Sequence, residues 1–251
     1  MKIISLNIRG FGSGKRSKFG DMRKFCIAER PSILALQETK SIIRDENWFL
    51  SLWGSDDCGY SQKAVIGVWK SSGKESIIVN VYGPHDDINK QKLWDALDKL
   101  LLINGVSCVI CGDFNEVRDP SERLNCDFIP NRARLFNEFI ARNRLVDLPL
   151  CGRLFTRVSD DGSKMSKLDR FLVSDEFLSL WSDLKVTACD RKFSNHCPIA
   201  LSNDDTDFGP KPFKIFDEWF NVEGIDSLIA RSWEEPMDRN RKDCVFRNKL
   251  K

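Results

Sequence analysis

The stretch Val106-Ser107-Cys108-Val109-Ile110-Cys111-Gly112-Asp113-Phe114-Asn115 joins an apolar run to a short polar segment. A short apolar run bounded by turn residues is typical of a strand that is buried in its sheet. Val106–Cys111 is therefore predicted to be such a strand. Asp113 and Asn115 follow directly after it, at a place where loops can bring functional side chains together.

Similar apolar segments recur on both sides of this strand, and helical patterns lie between them. Helical spacing is found in the segments Phe19–Cys26, Leu93–Leu101 and Leu135–Ile140. Strands are predicted over Lys2–Ile8, Ile33–Gln37, Ala64–Trp69, Ser76–Tyr82, Leu168–Val173, Leu184–Ala188 and Pro198–Leu201. Because the strands are interleaved with helices, we expect an α/β or α+β fold.

The composition limits the class of protein. Of the 251 residues, 41% are hydrophobic and 30% are charged, which is enough apolar material for a sizeable core. The 39 basic and 37 acidic residues give a net charge of +2, which excludes a histone-like binder but not a local basic patch. No apolar run approaches the roughly 20 residues of a membrane span. Since the first residues also turn polar too soon for a secretory signal, we expect an intracellular protein, nuclear or cytoplasmic.

The cysteines indicate neither disulfides nor zinc. Nine cysteines are an odd number, and only two histidines are present. A secreted disulfide framework is therefore not expected, and a closed zinc site lacks the second ligand pair that Cys108 and Cys111 would need. Most of these thiols are predicted to be small buried hydrophobic groups.

The composition changes at Ser202-Asn203-Asp204-Asp205-Thr206-Asp207, an acidic segment followed by Gly209-Pro210. We place a domain boundary here, with one domain over residues 1–202 and a linker or tail over residues 203–251. Apolar residues at helical spacing in the tail predict helical segments.

Polar side chains stand at the ends of several predicted strands. Asn7, Glu38 and Tyr82 end or follow three of them, Asp169 opens another, and His196 precedes the last one. Carboxylate and amide oxygens bind Mg²⁺, and an imidazole can accept a proton from water, so the set suits a metal-assisted phosphoester hydrolase. Taken singly, each residue also has an ordinary explanation, such as a surface acid, a turn former or an interior histidine.

Six motifs occur in an order that is known from one superfamily. They are Ser5-Leu6-Asn7, Leu36-Gln37-Glu38-Thr39-Lys40, Asn80-Val81-Tyr82-Gly83-Pro84, Gly112-Asp113-Phe114-Asn115, Ser166-Lys167-Leu168-Asp169-Arg170 and Ser194-Asn195-His196-Cys197-Pro198-Ile199. On these motifs the chain resembles the endonuclease/exonuclease/phosphatase superfamily. Met165–Leu172 and the tail make it similar to the apurinic-type endonuclease domain of plant LINE (non-LTR) retrotransposon reverse-transcriptase polyproteins.

The resemblance implies a four-layer α/β/β/α sandwich of two packed mixed sheets with a C-terminal helical tail. It also implies a DNA endonuclease that depends on Mg²⁺ or Mn²⁺ and leaves a 3′-hydroxyl. The implied partners are DNA and a downstream reverse-transcriptase domain, without a membrane or a small-molecule cofactor. By motif, the metal ligands would be Glu38, Asn7 and Asn195. His196 would be the general base oriented by Asp169, Asp113 and Asn115 would position water and phosphate, and Tyr82 would donate to phosphoryl oxygens.

DNA binding requires cationic contacts to the phosphate backbone. Arg9, Lys15, Arg16 and Lys18 cluster after the first strand and are predicted to contact DNA. By the resemblance, Thr156 also matches a position near the bound DNA. A second basic group, on the helix around Leu135–Ile140, is either a further DNA contact or a solvated helix face.

Two departures from the family pattern predict an impaired copy. Asn195 stands where the family usually has Asp, and the missing negative charge predicts weaker Mg²⁺ binding. Between Trp53 and Ala64 the chain lacks a family strand, which would expose a sheet edge or an apolar face. Two alternatives therefore stay open beside the active endonuclease: a catalytically inactive retroelement remnant and a phosphomonoesterase of the same superfamily.

Overall fold

A computed structural model describes residues 1–11, 18–40, 46–53, 59, 61, 64–69, 73–102, 107–181 and 183–203, and the single positions 224, 227, 230 and 231. The chain divides into two compact units, Met1–Asp205 and Thr206–Lys251. The predicted helical tail falls almost entirely outside the described residues. The boundary after residue 202 stays a prediction, and it lies one residue before the end of the last strand, Ile199–Asn203.

The first unit contains thirteen strands and five α-helices within the described residues. The strands are β1 (Lys2–Asn7), β2 (Ile33–Gln37), β3 (Ala64–Val68), β4 (Glu75–Tyr82), β5 (Ser107–Asp113), β6 (Arg123–Leu124), β7 (Leu145–Asp147), β8 (Leu150–Cys151), β9 (Arg157–Val158), β10 (Met165–Ser166), β11 (Asp169–Ser174), β12 (Leu184–Ala188) and β13 (Ile199–Asn203). The helices are α1 (Phe19–Glu29), α2 (Glu46–Trp53), α3 (Asp87–Leu101), α4 (Pro130–Arg142) and α5 (Asp175–Leu180).

Two five-stranded mixed sheets form the centre of this unit. Sheet A has the strand order β2-β1-β13-β12-β8, and sheet B has the order β3-β4-β5-β11-β7. The predicted strand around Val109 is confirmed as β5, every residue of which is buried. In sheet B it pairs in parallel with β4 and antiparallel with β11. A small third sheet has the order β6-β10-β9.

Three apolar clusters separate four layers. Ile3 and Ile199 of sheet A meet Phe171 of sheet B in the cluster between the sheets. A second cluster joins sheet B to α3 and α4, where the ring of Trp94 stacks on that of Phe136 with centroids 5.2 Å apart. A third joins the outer face of sheet A to α1 and α2. Since the helices lie outside and the sheets inside, the predicted α/β/β/α sandwich is confirmed.

The strand β3 is an edge strand of sheet B. Its apolar residues Val65, Ile66 and Val68 are exposed. Most of the residues between Trp53 and Ala64, where a family strand was expected to be missing, lie outside the described part, so the missing strand stays a prediction. In the part of the chain that the structure describes, no helix is long and apolar enough to cross a bilayer.

Two glycines allow the ends of β4 and β5 to approach each other closely. Gly112 has φ +141°, and a Cβ there would lie 1.9 Å from the carbonyl oxygen of Val81. A Cβ on Gly83 would lie 2.1 Å from the carbonyl oxygen of Phe114. No other residue type fits such contacts without moving the backbone. This approach brings the end of β4 next to the end of β5.

Candidate active site

The polar residues predicted at strand ends come together where the two sheets meet. Asp113, at the end of β5, lies opposite Tyr82 of β4 on one side and opposite Asp169 of β11 on the other. Asn7 ends β1 in sheet A, and Glu38 directly follows β2. Residues from both sheets therefore form one site.

His196 forms an imidazole–carboxylate pair with Asp169. The Nδ1 atom of His196 lies 2.8 Å from Oδ2 of Asp169, and both side chains are buried. The second ring nitrogen, Nε2, lies 3.8 Å from Oδ2 of Asp113. Because a carboxylate accepts a hydrogen bond, the pair favours the tautomer with its proton on Nδ1, and Nε2 can then accept a proton.

The side chain of Asn7 links two carboxylates that belong to different sheets. Its Nδ2 donates to Oε1 of Glu38 at 2.9 Å and to Oδ2 of Asp113 at 2.8 Å. Its Oδ1 accepts the backbone N–H of Arg9 at 3.0 Å. Asn7 therefore holds Glu38 and Asp113 next to each other, and its amide nitrogen faces them.

Asn115 is held beside Asp113 by hydrogen bonds. Its backbone N–H donates to Oδ1 of Asp113 at 2.9 Å, and its Nδ2 donates to the carbonyl of Gly83 at 2.8 Å. Asn115 has φ +48°, a left-handed conformation that Asn adopts more readily than most residues. The short Gly-Asp-Phe-Asn segment is thus fixed at both ends.

Burial and neighbouring charges shift the pKa of both groups that face each other across the site. Burial raises the pKa of Asp113 to about 6; the Asp169 carboxylate adds to the rise, while His196 and Asn7 oppose it. Burial alone would lower the pKa of His196, but the carboxylates of Asp169 and Asp113 outweigh it and raise that pKa above its usual value. The protonated imidazole is therefore stabilised by two carboxylates.

Glu38 remains ionised at neutral pH, and Tyr82 keeps its proton. Burial would raise the pKa of Glu38, but hydrogen bonds with Asn7 and Tyr82 and the charge of Lys40 lower it. Burial, together with the Glu38 carboxylate, raises the pKa of Tyr82 to about 12. The site therefore holds an anionic carboxylate beside a phenol that can donate a hydrogen bond.

The donor atoms of this site suit a hard divalent cation. Ligand atoms of Asp113, Asp169 and His196 all lie within 4.8 Å of one another. Glu38 and Asp113 both accept a hydrogen bond from the Asn7 side-chain amide. Oδ1 of Asp169 is buried without a hydrogen-bond partner among the described residues. Carboxylate oxygens are the ligands that Mg²⁺ and Mn²⁺ prefer, so these residues fit such an ion.

Asn195, which was predicted to bind the metal, lines a cleft beside His196. The cleft has a volume of about 320 Å³ and is also lined by Ser159, Asp160, Arg191 and Ser194. Oδ1 of Asn195 is buried and has no hydrogen-bond partner within the described ranges. Asn195 therefore has an uncommitted oxygen, but the lining of this cleft includes neither Glu38 nor Asn7, and its metal-binding role stays a prediction.

Two of the cations predicted to bind DNA lie beside the site, while Lys15 and Arg16 are outside the described residues. Nη1 of Arg9 lies 3.2 Å from Oδ1 of Asp160 at an exposed position. The Nζ atom of Lys18 donates to the carbonyl of Ile8 at 2.7 Å. Burial and, after it, the charges of Arg9 and Lys40 lower the pKa of Lys18, so three cations are close together near Glu38.

Thr156, which was predicted to be near DNA, lies in the interior. It is only 1% exposed, and its Oγ1 accepts the backbone N–H groups of Leu168 and Asp169, each at 3.0 Å. The physical reason is that two buried amides at the start of β11 need an acceptor. The prediction is corrected accordingly: the hydroxyl of Thr156 faces the protein and not a DNA surface.

Sequence reasoning gave no role to three residues that support the site. Oγ of Ser194 donates to the carbonyl of Asn7 at 2.6 Å and accepts the N–H of His196 at 2.8 Å, which joins these two segments. Lys90 forms a buried ion pair with Glu116, and its Nζ also donates to the carbonyl of Asn115 at 2.6 Å. Ser194 could have been found from its place beside His196, whereas no sequence signal pairs Lys90 with Glu116.

Comparison with known proteins places the fold and the family. Three solved structures share the fold. The AP endonuclease LMAP from Leishmania major has a TM-score of 0.58 and 17% identity, and the match covers 80% of this chain and 86% of that chain. The 3′-5′ exonuclease NExo from Neisseria meningitidis has a TM-score of 0.59 and 18% identity, with 81% of this chain and 100% of that chain covered. The endonuclease domain of TRAS1, a telomere-specific non-LTR retrotransposon, has a TM-score of 0.57 and 14% identity, with 80% of this chain and 97% of that chain covered. Among curated proteins, none matches the chain.

The match to a protein family covers the site as well as the fold. Residues 4–196 match the Endonuclease/Exonuclease/phosphatase family, a span that runs from β1 to His196 and includes every strand-end residue of the site. This protein therefore belongs to the endonuclease/exonuclease/phosphatase family, whose members are hydrolytic nucleases or phosphatases.

Proposed function

We propose that this protein is a divalent-metal-dependent DNA endonuclease of a plant LINE-type (non-LTR) retroelement, which cleaves a phosphodiester and leaves a 3′-hydroxyl. The observation that carries the proposal is the Asp169–His196 pair beside Asp113, at strand ends from both sheets. The fold shared with the TRAS1 endonuclease domain supports it. Since a reverse transcriptase extends a 3′-hydroxyl, a reverse-transcriptase domain is the partner that we propose.

His196 is the general base of the proposed reaction. Asp169 holds the imidazole with its proton on Nδ1, so that Nε2 accepts the proton of the attacking water. Asp113 lies 3.8 Å from Nε2, and Asn115 is fixed beside it, which suits these two residues to hold the water and the phosphate. The positive imidazolium that results is stabilised by the carboxylates of Asp169 and Asp113.

Glu38 would hold the Mg²⁺ or Mn²⁺ ion, with Asn7 and Asn195 as the further ligands that we propose. Asn7 would bind through Oδ1, the atom that accepts the N–H of Arg9 in this structure. The bound ion would supply positive charge for the phosphoryl oxygens and the leaving oxygen. The buried, unpartnered Oδ1 of Asn195 supports its part in this set. Tyr82, whose pKa is raised to about 12, keeps the proton with which it donates to a phosphoryl oxygen.

The DNA backbone is proposed to lie along Arg9, Lys15, Arg16 and Lys18. Arg9 is exposed, and Lys18 is partly exposed with its Nζ against the carbonyl of Ile8, directly after β1, which supports a cationic path to the site. Such contacts release counterions from DNA, so binding should weaken steeply as the salt concentration rises.

Nicking of supercoiled plasmid DNA tests the proposal. We expect the parent protein to nick the plasmid with Mg²⁺ and to stop when EDTA is added. Because a general base contributes about 100-fold or more, His196→Ala should lower the rate at least by that factor. Glu38→Ala should also lose nicking, whereas Asn195→Asp should nick faster because it restores a negative charge. A polymerase should extend the nicks directly, without phosphatase treatment.

Three outcomes would overturn the proposal in different ways. A lack of nicking by both the parent and Asn195→Asp, with a cooperative thermal melt, would identify an inactive remnant. Equal hydrolysis of small phosphomonoesters and DNA would favour the phosphomonoesterase. Nicks that a polymerase extends only after phosphatase treatment would show the wrong bond cleaved.

A further inference from the structure

We infer that Thr156 is a positioning residue, which fixes the backbone of Asp169 relative to the segment that carries His196. Its importance for turnover rests on the proposed function, whereas its effect on the Asp169–His196 hydrogen bond does not. Thr156 lies directly before β9 and is only 1% exposed, and both its hydroxyl and its carbonyl oxygen accept backbone N–H groups.

Thr156 accepts backbone hydrogen bonds from Asp169 and from the residue that follows His196. Its Oγ1 accepts the N–H of Asp169 at 3.0 Å, and its carbonyl accepts the N–H of Cys197, the residue after His196, at 2.8 Å. Arg157, the next residue, forms an isolated β-bridge with His196 itself. One short segment therefore determines how far Asp169 lies from His196.

The hydroxyl of Thr156 is the acceptor of two buried backbone N–H groups within the described residues. Leu168 and Asp169 both donate their buried N–H groups to it, so its removal leaves two donors without a partner. The start of β11 must then move to find another acceptor. The 2.8 Å separation between Nδ1 of His196 and Oδ2 of Asp169 depends on that backbone position.

The chain provides a matched control at the other end of the same strand. Oγ of Ser174 accepts the backbone N–H groups of Cys108 at 3.1 Å and Phe177 at 3.3 Å, and Ser174 is buried. It therefore makes the same kind of hydroxyl bridge as Thr156, at the end of β11 that lies away from Asp169. A general loss of stability should result from removal of either hydroxyl. A change in the Asp169–His196 pair should result only from removal of the Thr156 hydroxyl.

The first test compares the turnover of Thr156→Val, Thr156→Ser and Ser174→Ala. Valine keeps the volume of threonine without an acceptor, and serine keeps the hydroxyl. A displacement of about 1 Å in a catalytic group can lower turnover about 100-fold, so we expect a fall of that order in kcat for Thr156→Val with KM for DNA near the parental value. Thr156→Ser should keep most of the activity, and Ser174→Ala should keep it despite a lower Tm.

The second test does not require activity. The chain has only two histidines, so a sample with ¹⁵N-labelled histidine gives two imidazole signals, and His85→Gln assigns them. We expect a downfield, slowly exchanging Nδ1–H signal from His196 in the parent, Thr156→Ser and Ser174→Ala, and its loss or a large shift in Thr156→Val. If Thr156→Val does not melt cooperatively, Thr156→Ala replaces it with the same expectations.

The outcomes separate this inference from the proposed function. If the parent nicks no DNA but the Nδ1–H signal follows the expected pattern, the proposed function falls and the positioning role stands. The inference is overturned if Thr156→Val keeps both the signal and the turnover, or if Ser174→Ala loses them to the same extent.

Discussion

Replacement of Lys90 by Met tests the buried ion pair beneath Asn115. Lys90 is 5% exposed and Glu116 is 2% exposed. Without the ammonium group, the Glu116 carboxylate is buried and unpaired, and the Asn115 carbonyl loses its 2.6 Å hydrogen bond. Breaking a buried pair in this way costs about 3–5 kcal/mol. Because whole domains are stable by only about 5–15 kcal/mol, we expect Lys90→Met to lose a large share of its free energy of unfolding.

Urea denaturation followed by tryptophan fluorescence measures this loss. The midpoint should fall while the slope with urea concentration stays constant, which indicates a change in stability rather than in the unfolded state. A double variant, Lys90→Met with Glu116→Gln, should recover part of the loss because no charge is then buried. Arg134→Met is the control, since it breaks the exposed pair with Glu138, in which Arg134 is 57% exposed, and should cost less than about 1 kcal/mol.

Two results would refute this reasoning. One is a midpoint for Lys90→Met as close to the parent as that of Arg134→Met. The other is a double variant whose loss equals the sum of the two single losses, because residues that interact directly are not additive.

Three further predictions concern the backbone, the charges and the thiols. Gly112→Ala should yield no folded protein in a thermal melt, because its Cβ would lie 1.9 Å from a backbone oxygen, whereas Gly20→Ala in α1, with nothing within 4 Å, should melt at or above the parental temperature. In EDTA, Asp113→Asn should raise Tm more at pH 7.5 than at pH 4. The pKa of Asp113 is about 6 in the folded protein and 3.8 ordinarily, so ionisation of this carboxyl destabilises the folded state above pH 6 and not below pH 4. An equal gain in Tm at both pH values would contradict this. Iodoacetamide followed by mass spectrometry should modify the exposed Cys151 in the native protein, but Cys111, whose pKa burial raises to about 12, only in urea; early labelling of Cys111 would show an open core.

Much of the fold could be predicted because its larger elements carry a pattern within their own residues. The strand β2 begins and ends where its apolar run does, at Ile33 and Gln37, and the apolar spacing around Trp94 marks α3. The two-residue strands β6, β8, β9 and β10 and the three-residue strand β7 were missed because so short a strand has no alternation to detect. The short helices α2 and α5 were missed as well.

The residues of the candidate site could be predicted from the sequence, but the contacts that hold them in place could not. Motif order pointed to residues such as Asp169 and His196, yet their hydrogen bond becomes visible only in the folded chain. Arg170 illustrates the limit, because it is fully buried and pairs with Glu122 and Asp147. These partners are distant in sequence, and a sequence contains no local signal for the burial of a charge.

The position of the site across both sheets makes it sensitive to their relative placement. Asn7 and Glu38 come with sheet A, whereas Asp113 and Asp169 come with sheet B. The layer between the sheets is filled mainly by apolar side chains such as those of Ile3 and Phe171. Each sheet is held internally by its own backbone ladder, whereas the described hydrogen bonds between the sheets, such as Asn7 to Asp113 and Gln37 to Asn80, involve side chains. A slip of one strand residue, about 3.3 Å, would dismantle the constellation while leaving the ladders whole. The proposed nuclease activity should therefore depend on the alignment of the two sheets, and it should vanish before circular dichroism registers any loss of strands.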